Sequence, residues 1–221
     1  MRECHPAHLV TTALRMPWFL NTGGVVYSSG ITSSRIFLVA EDQQNFMNKG
    51  KVANLRIEYT DEKGLDRLRP LWLYLHQHHQ IIAPSLGPYV DDDTSWTMRR
   101  RFYVDCLSHK GSFALLAYSE EDLVGYALVR VEPTSTMWSD TWVTGDRTAE
   151  LETLVVAPDQ RGRGVGALLL DRIESELGRM GIKDVLVGVL PANTEVLALY
   201  HRRGFEPTWL VMTRFSGRRQ P

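Results

Sequence analysis

The 221-residue chain is 43% apolar and 23% charged with a formal net charge of -1, which suits one domain with an appendage and denies any global pull toward nucleic acid or anionic membrane. Its two cysteines, Cys4 and Cys106, lie far apart without metal-ligand spacing, as inert thiols of a reducing compartment would. No apolar run approaches the ~18 residues of a membrane span, and Thr11, Thr12, Arg15 and Pro17 interrupt the start of the chain, which argues against a secretion signal and for a cytoplasmic protein.

Residues 1–50 hold no hydrophobic period beyond about five residues, and Gly23-Gly24 and Ser28-Ser29-Gly30 break what could form. They read as a poorly ordered leader, with Met47 as an alternative start, or else as a short extension packed on the core. Leu55, Ile57 and Tyr59 then alternate with Arg56, Glu58 and Thr60, the mark of a half-buried strand. A helix follows with Leu65, Leu68, Leu71 and Leu75 on one face. Pro70 either opens that helix or kinks it. His76, His78 and His79 at its end do not converge on one metal, so a solvated or helix-end role is expected.

Asp91-Asp92-Asp93 caps a helix predicted over 94–107, or forms a rim that attracts a cationic substrate. Arg99, Arg100 and Arg101 inside that helix read as surface charge. Residues 113–118 and 123–131 form an antiparallel hairpin, with Gly125 marking a bulge or a close backbone approach. The long polar connection 133–147 carries Trp138 and Trp142, which either pack on the domain or wall a pocket. Residues 148–156 form the central strand. Residues 183–190 are apolar on both faces, as for a strand in mid-sheet. Asn193 can cap the next helix and Gly204 can close it, while 210–215 offers a last strand and 217–221 a frayed tail.

The stretch around which the rest is arranged is Val155 to Leu170. It reads as a strand end, a turn with Gly162, Gly164 and Gly166, and the first turns of a helix with Val165, Leu169, Ile173 and Leu177 at helical spacing. Alternate glycines admit a ligand close to the backbone, the helix start supplies unpaired amides, and Arg161 and Arg163 add charge. That is a phosphate cradle. It lacks the Gly-Lys-Ser/Thr of a nucleoside-triphosphate loop, and its third glycine misses the dinucleotide spacing.

The segment Arg161-Gly162-Arg163-Gly164-Val165-Gly166, followed by Asn193 and by Leu199-Tyr200-His201-Arg202-Arg203-Gly204-Phe205, resembles the GNAT superfamily of acyl-CoA-dependent N-acetyltransferases. The resemblance is good over 148–215 and rests on element order alone over 52–147. It implies an α/β (α+β) fold over residues 51–216, with a mixed, mainly antiparallel sheet of six or seven strands. About four helices flank that sheet, and its strands splay at the cofactor site.

It further implies acetyl-CoA as cosubstrate, held by Leu154, Val155, Val156, Arg161, Gly162, Arg163, Gly164, Val165, Gly166, Ala167, Asn193 and Tyr200. Glu150 or Glu152 would serve as base, with Glu150 preferred. A backbone N–H of Val155 or Val156 would stabilise the oxyanion, and Tyr200 would protonate the departing thiolate. No metal is expected. The acceptor is expected to be a primary amine of a small molecule or peptide, with a weak lean toward a cationic one and with the histidines of the first helix as alternative pocket lining. A homodimer is compatible, and a non-catalytic acyl-CoA-binding module on the same fold is the rival reading.

Overall fold

A computed structural model describes residues 55–214. The expectations for the leader 1–50, for Phe215 and for the tail 217–221 lie outside the described residues. Five strands form one sheet in the order β1-β2-β3-β4-β5: β1 (Leu55–Thr60), β2 (Phe113–Ser119), β3 (Asp122–Pro133), β4 (Arg147–Val156) and β5 (Asp184–Val187). The first four pair antiparallel, and β5 joins β4 in parallel.

Helices α1 (Arg69–Ile82) and α2 (Asp92–Ser108) cover one face, and α4 (Val165–Arg179) and α5 (Thr194–Arg202) the other. The very short α3 (Thr136–Ser139) turns inside the β3–β4 connection. Leu65, Leu68, Trp72, Trp96, Tyr103 and Leu116 make the core on the α1–α2 side, whereas Val165, Leu169, Ile173 and Leu177 press the predicted apolar stripe of α4 onto the other face.

Local chemistry explains the boundaries. A 3-10 segment (Glu62–Leu68) precedes α1, and Pro70 stands in the first turn of that helix, where its missing N–H is harmless. Asp91 caps α2, accepting from Thr94 N at 2.9 Å and Thr94 Oγ1 at 2.7 Å. The other two aspartates are also engaged: Asp92 accepts from Gln77 Nε2 at 2.9 Å and Asp93 from Arg69 Nη2 at 2.6 Å. The acidic run is therefore structural.

Gly125 has both expected features. A Cβ there would meet Val155 O at 2.9 Å, and the β2–β3 register slips beside it between Ala117 and Tyr118. Trp138 and Trp142 pack edge to face with Trp209, with ring centroids 5.8 and 6.4 Å apart, and lie tilted to each other at 5.6 Å.

Four expectations need correction. The described sheet has five strands, not six or seven. Residues 210–214 form no strand, and Leu210, Val211 and Met212 are exposed; apolar residues in an extended stretch become a strand only where a ladder partner is present. β5 covers four residues rather than 183–190 and lies at the edge of the described sheet, half-buried, because β4 has turned away from it. The described residues form five α-helices where about four were expected, the extra one being α3.

A second register slip matters more. Leu128 pairs with Thr153 and Val129 with Leu151, so Glu152 has no opposite number on β3. The extra residue reverses the side-chain alternation of β4. Ala149 and Leu151 face α4, but Thr153 bonds Tyr103 of α2 and Val155 packs among the α1–α2 core. Past this bulge β4 parts from β5, whose ladder ends at Leu151–Val187.

Candidate functional site

The parting of β4 and β5 opens a cleft of about 470 Å³. One wall is the second half of β4, including Leu154, Val155 and Val156; the opposite wall runs from Val187 to Leu190 and on through Val196 and Leu199 to Tyr200. On that side β4 has no strand partner beyond Leu151 among the described residues, so its backbone groups are free to pair with a ligand.

The floor at one end is the glycine turn. Gly162 and Gly164 have φ of 70° and 89°, the left-handed region that costs an L-residue roughly 1–2 kcal/mol. Gly164 is the N-cap of α4, and Leu168 N makes the first helical bond to Gly164 O at 2.9 Å. The amides of Val165, Gly166 and Ala167 therefore stand unused at the helix mouth, which is what an anionic phosphate requires. The side chain of Arg161 lies over the Tyr74 ring at 5.2 Å, which ties the end of α1 to the turn.

Of the residues expected to bind cofactor, eleven line this cleft: Leu154, Val155, Val156, Arg161, Gly162, Gly164, Val165, Gly166, Ala167, Asn193 and Tyr200. Arg163 does not; its guanidinium reaches Gln160 Oε1 at 3.4 Å, and it is Gln160 that borders the cleft. Asn193 occupies the N-cap position of α5 but makes no side-chain capping bond, which leaves its amide at the cleft wall.

Tyr200 is 5% exposed, packed edge to face on Phe205 at 5.3 Å. Burial pushes its phenol up to about 12, so the hydroxyl keeps its proton throughout the working range. Arg203 steadies this helix against α4 through Asp171 at 2.5 Å and Ala167 O at 3.2 Å.

The two glutamates share one arginine. Arg130 Nε donates to Glu152 at 2.6 Å and Nη2 to Glu150 at 2.7 Å, while Nη1 reaches Glu132 at 2.5 Å. Burial opposes the charge of Arg130, but these hydrogen bonds and carboxylates raise its pKa still further. Glu152 borders the cleft, and Glu150 is not among the residues lining it. Burial, followed by the negative charge of Glu150, raises the Glu152 carboxyl above its ordinary range despite the opposing Arg130. Such a carboxylate is a stronger base than an exposed one.

Sequence reasoning assigned no role to Thr153, the next residue, which takes part in a buried hydroxyl chain. Tyr103 Oη lies 2.5 Å from Thr153 Oγ1 and 3.0 Å from Tyr126 Oη, and Thr153 Oγ1 donates to Glu152 O at 2.7 Å. The run Glu150-Leu151-Glu152 carries no glycine or proline to announce a bulge.

The histidines separate. His76 is buried with Nε2 3.0 Å from Val90 O, whereas His78 and His79 border the cleft. Burial, then the neighbouring cations, lowers His79 to about 4, so it is neutral at pH 7. Among the described residues no group of three or more His, Cys, Asp or Glu side chains could hold a metal ion, and no helix is long and apolar enough to cross a membrane.

Residues 73–205 match the family model described as the acetyltransferase (GNAT) family. Solved structures are similar in fold. A mutant of the BH1408 protein from Bacillus halodurans is 18% identical, with a TM-score of 0.60 over 72% of this chain and 98% of that one. A GCN5-related N-acetyltransferase from Ralstonia eutropha JMP134 is 18% identical, with a TM-score of 0.56 over 74% and 99%. The aminoglycoside N-acetyltransferase AAC(6')-Iy in complex with CoA is 19% identical, with a TM-score of 0.53 over 73% and 94%. No curated protein matches the chain by sequence.

Proposed function

The chain belongs to the GNAT family of acetyltransferases, and we propose that it moves the acetyl group of acetyl-CoA directly to a primary amine of a small molecule or peptide. The observation that carries this reading is the cleft itself. Unpaired β4 backbone, left-handed Gly164, the free amides of Val165 to Ala167 and the hydroxyl of Tyr200 all border one space. When bound there, acetyl-CoA would supply the acyl group as a thioester.

The residues of the chain divide the remaining work. Val165, Gly166 and Ala167 amides with Arg161 hold the diphosphate, and the edge of Leu154 to Val156 aligns the arm behind it. Glu152, through water or directly, takes the ammonium proton, because a raised pKa suits a carboxylate to that task. Glu152 stands at the bulge and borders the cleft, where β4 has left β5 and the backbone N–H groups that follow can meet a developing oxyanion. Tyr200 gives its proton to the departing sulfur. In balance, one C–N bond forms and one C–S bond breaks; of the two protons the ammonium loses, one leaves to Glu152 and the other replaces the phenol proton that Tyr200 gives to the departing thiolate. Glu150 becomes a modulator of Glu152 in this reading, not the base.

The test is release of free CoA thiol from acetyl-CoA in the presence of a panel of amines, alongside calorimetric titration of acetyl-CoA. Amine-dependent thiol release supports the proposal; binding of acetyl-CoA without amine-dependent release would leave a non-catalytic binding module.

A further inference from the structure

Three hydroxyls meet behind the wall of the cleft, out of reach of solvent. Tyr103 and Tyr126 are fully buried, and Thr153, which itself lines the cleft, is 4% exposed. They come from α2, β3 and β4 in turn. Buried hydroxyls need partners, and these find them in one another and in the backbone of Glu152.

Counting protons gives the chain a direction. Thr153 Oγ1 donates its single proton to Glu152 O at 2.7 Å. At the 2.5 Å contact with Thr153 the donor is therefore Tyr103. With its own proton spent, Tyr103 accepts from Tyr126 at 3.0 Å. The bonds thus run from Tyr126 through Tyr103 and Thr153 to the Glu152 carbonyl, with every proton placed.

The end point is the bulged residue, which has no opposite number on β3. In a strand without the extra residue, position 153 would follow Ala149 and Leu151 onto the face that packs against Val165, Leu169 and Ile173 of α4. A threonine hydroxyl would have no partner among those side chains. With the bulge it meets Tyr103 instead, so the hydroxyl chain favours the bulged register over the regular one. An apolar residue at 153 would suit either face. Glu152 is then held twice, by Arg130 on its carboxylate at 2.6 Å and by Thr153 on its carbonyl.

We propose that Thr153, backed by Tyr103, is a positioning residue that keeps Glu152 at the edge of the cleft by locking the β4 bulge. This rests on the reading of Glu152 as the base for the acceptor ammonium. Thr153 touches neither the acyl group nor the amine in this role and acts only through its neighbour.

The test compares Thr153→Val, Thr153→Ser, Tyr103→Phe and Tyr126→Phe in the intact protein by steady-state acetylation, calorimetric titration of acetyl-CoA and amide hydrogen exchange. Thr153→Val is expected to lower kcat roughly 10–100-fold, the effect of a displacement of about 1 Å at a reacting group, with acetyl-CoA affinity within about threefold. Thr153→Ser keeps the hydroxyl and restores most of the activity. The losses follow the chain: Tyr103→Phe comes next, and Tyr126→Phe is mildest because its hydroxyl only feeds Tyr103. Added to Glu152→Gln, Thr153→Val costs nothing further, since it acts through the side chain already removed. Exchange of the amides at 152–154 quickens by about tenfold in Thr153→Val, while those of β1 and β2 keep their wild-type rates.

Unchanged kcat in Thr153→Val, a serine variant no better than the valine one, or a full further loss on the Glu152→Gln background would each overturn the assignment. So would exchange that quickens evenly across the sheet, the mark of hydroxyls that serve stability alone. Full activity in Glu152→Gln would instead overturn the reading of Glu152 as base, and absence of acetyl-CoA binding that of the cleft. Amide exchange needs no turnover and reports on the bulge in either case. Tyr103→Phe breaks the same bond from the α2 side, so a folding defect in Thr153→Val cannot mask the answer.

Discussion

Arg130 Nε sits 2.6 Å from the Glu152 carboxylate, yet Glu152 still titrates above an ordinary glutamate. Burial and the charge of Glu150 outweigh the arginine. The balance makes the pH dependence predictable in sign. Removing the Glu150 charge with Glu150→Gln lowers the pKa of Glu152, so the acidic limb of the kcat/KM profile moves to lower pH. Arg130→Gln moves it higher. Glu152→Gln removes that limb and lowers kcat by about 10²–10⁴. A pH–rate series on the three variants checks all of this, and a limb that follows Glu150→Gln by vanishing would transfer the base role to Glu150.

Tyr200→Phe keeps the packing on Phe205 and removes only the hydroxyl. It lowers kcat by roughly 10–1000-fold with little change in acetyl-CoA affinity. Because burial raises the phenol to about 12, the wild type should show no basic limb from Tyr200 below about pH 10. Steady-state kinetics with calorimetry separates this from a binding defect, which would weaken acetyl-CoA instead.

Gly125→Ala tests the fold independently of any chemistry. The added methyl meets Val155 O at 2.9 Å and Val165 Cγ1 at 3.2 Å, wedging β3 from β4 and α4. Overpacking of this kind costs about 1–3 kcal/mol, a fall in Tm of roughly 2–12 °C for a domain of this size. Calorimetric melting measures it; an unchanged Tm would mean that the β3–β4 approach is looser than described.

His79 couples the cleft to acid stability. Its folded pKa of about 4 lies below the ordinary imidazole value of 6.5, so its contribution is present above 6.5 and is lost as pH falls through 4. His79→Asn should flatten the dependence of Tm on pH across this window. A slope identical to that of the wild type would show that His79 is not held neutral by its surroundings.

Much of the site could be read from local chemistry. Alternate glycines at 162, 164 and 166, a strand before them and an apolar stripe after them leave few foldings, and the cleft forms on those residues. The hairpin 113–131 and the caps at Asp91 and Gly204 were legible for the same reason, since each depends on neighbours in sequence. What could not be read depends on distant partners. The bulge at Glu152 arises from the register of β3 against β4, so alternation alone left Glu150 and Glu152 equivalent. The inward placement of Arg99 depends on Trp72 across the helix pair, and three successive arginines look alike until that ring is in place. The length of β5 was overestimated because hydrophobicity marks what can pair, not where the neighbouring strand turns aside.

The central claim is that the main-chain amides around Gly164 hold a diphosphate and so present a thioester beside Tyr200. A crystal structure of the protein with CoA tests it most directly. The account predicts diphosphate density against the amides of residues 162–167, with the pantetheine arm along Leu154 to Val156 and the sulfur within reach of the Tyr200 hydroxyl. Diphosphate density away from that turn, or a sulfur remote from Tyr200, would contradict it.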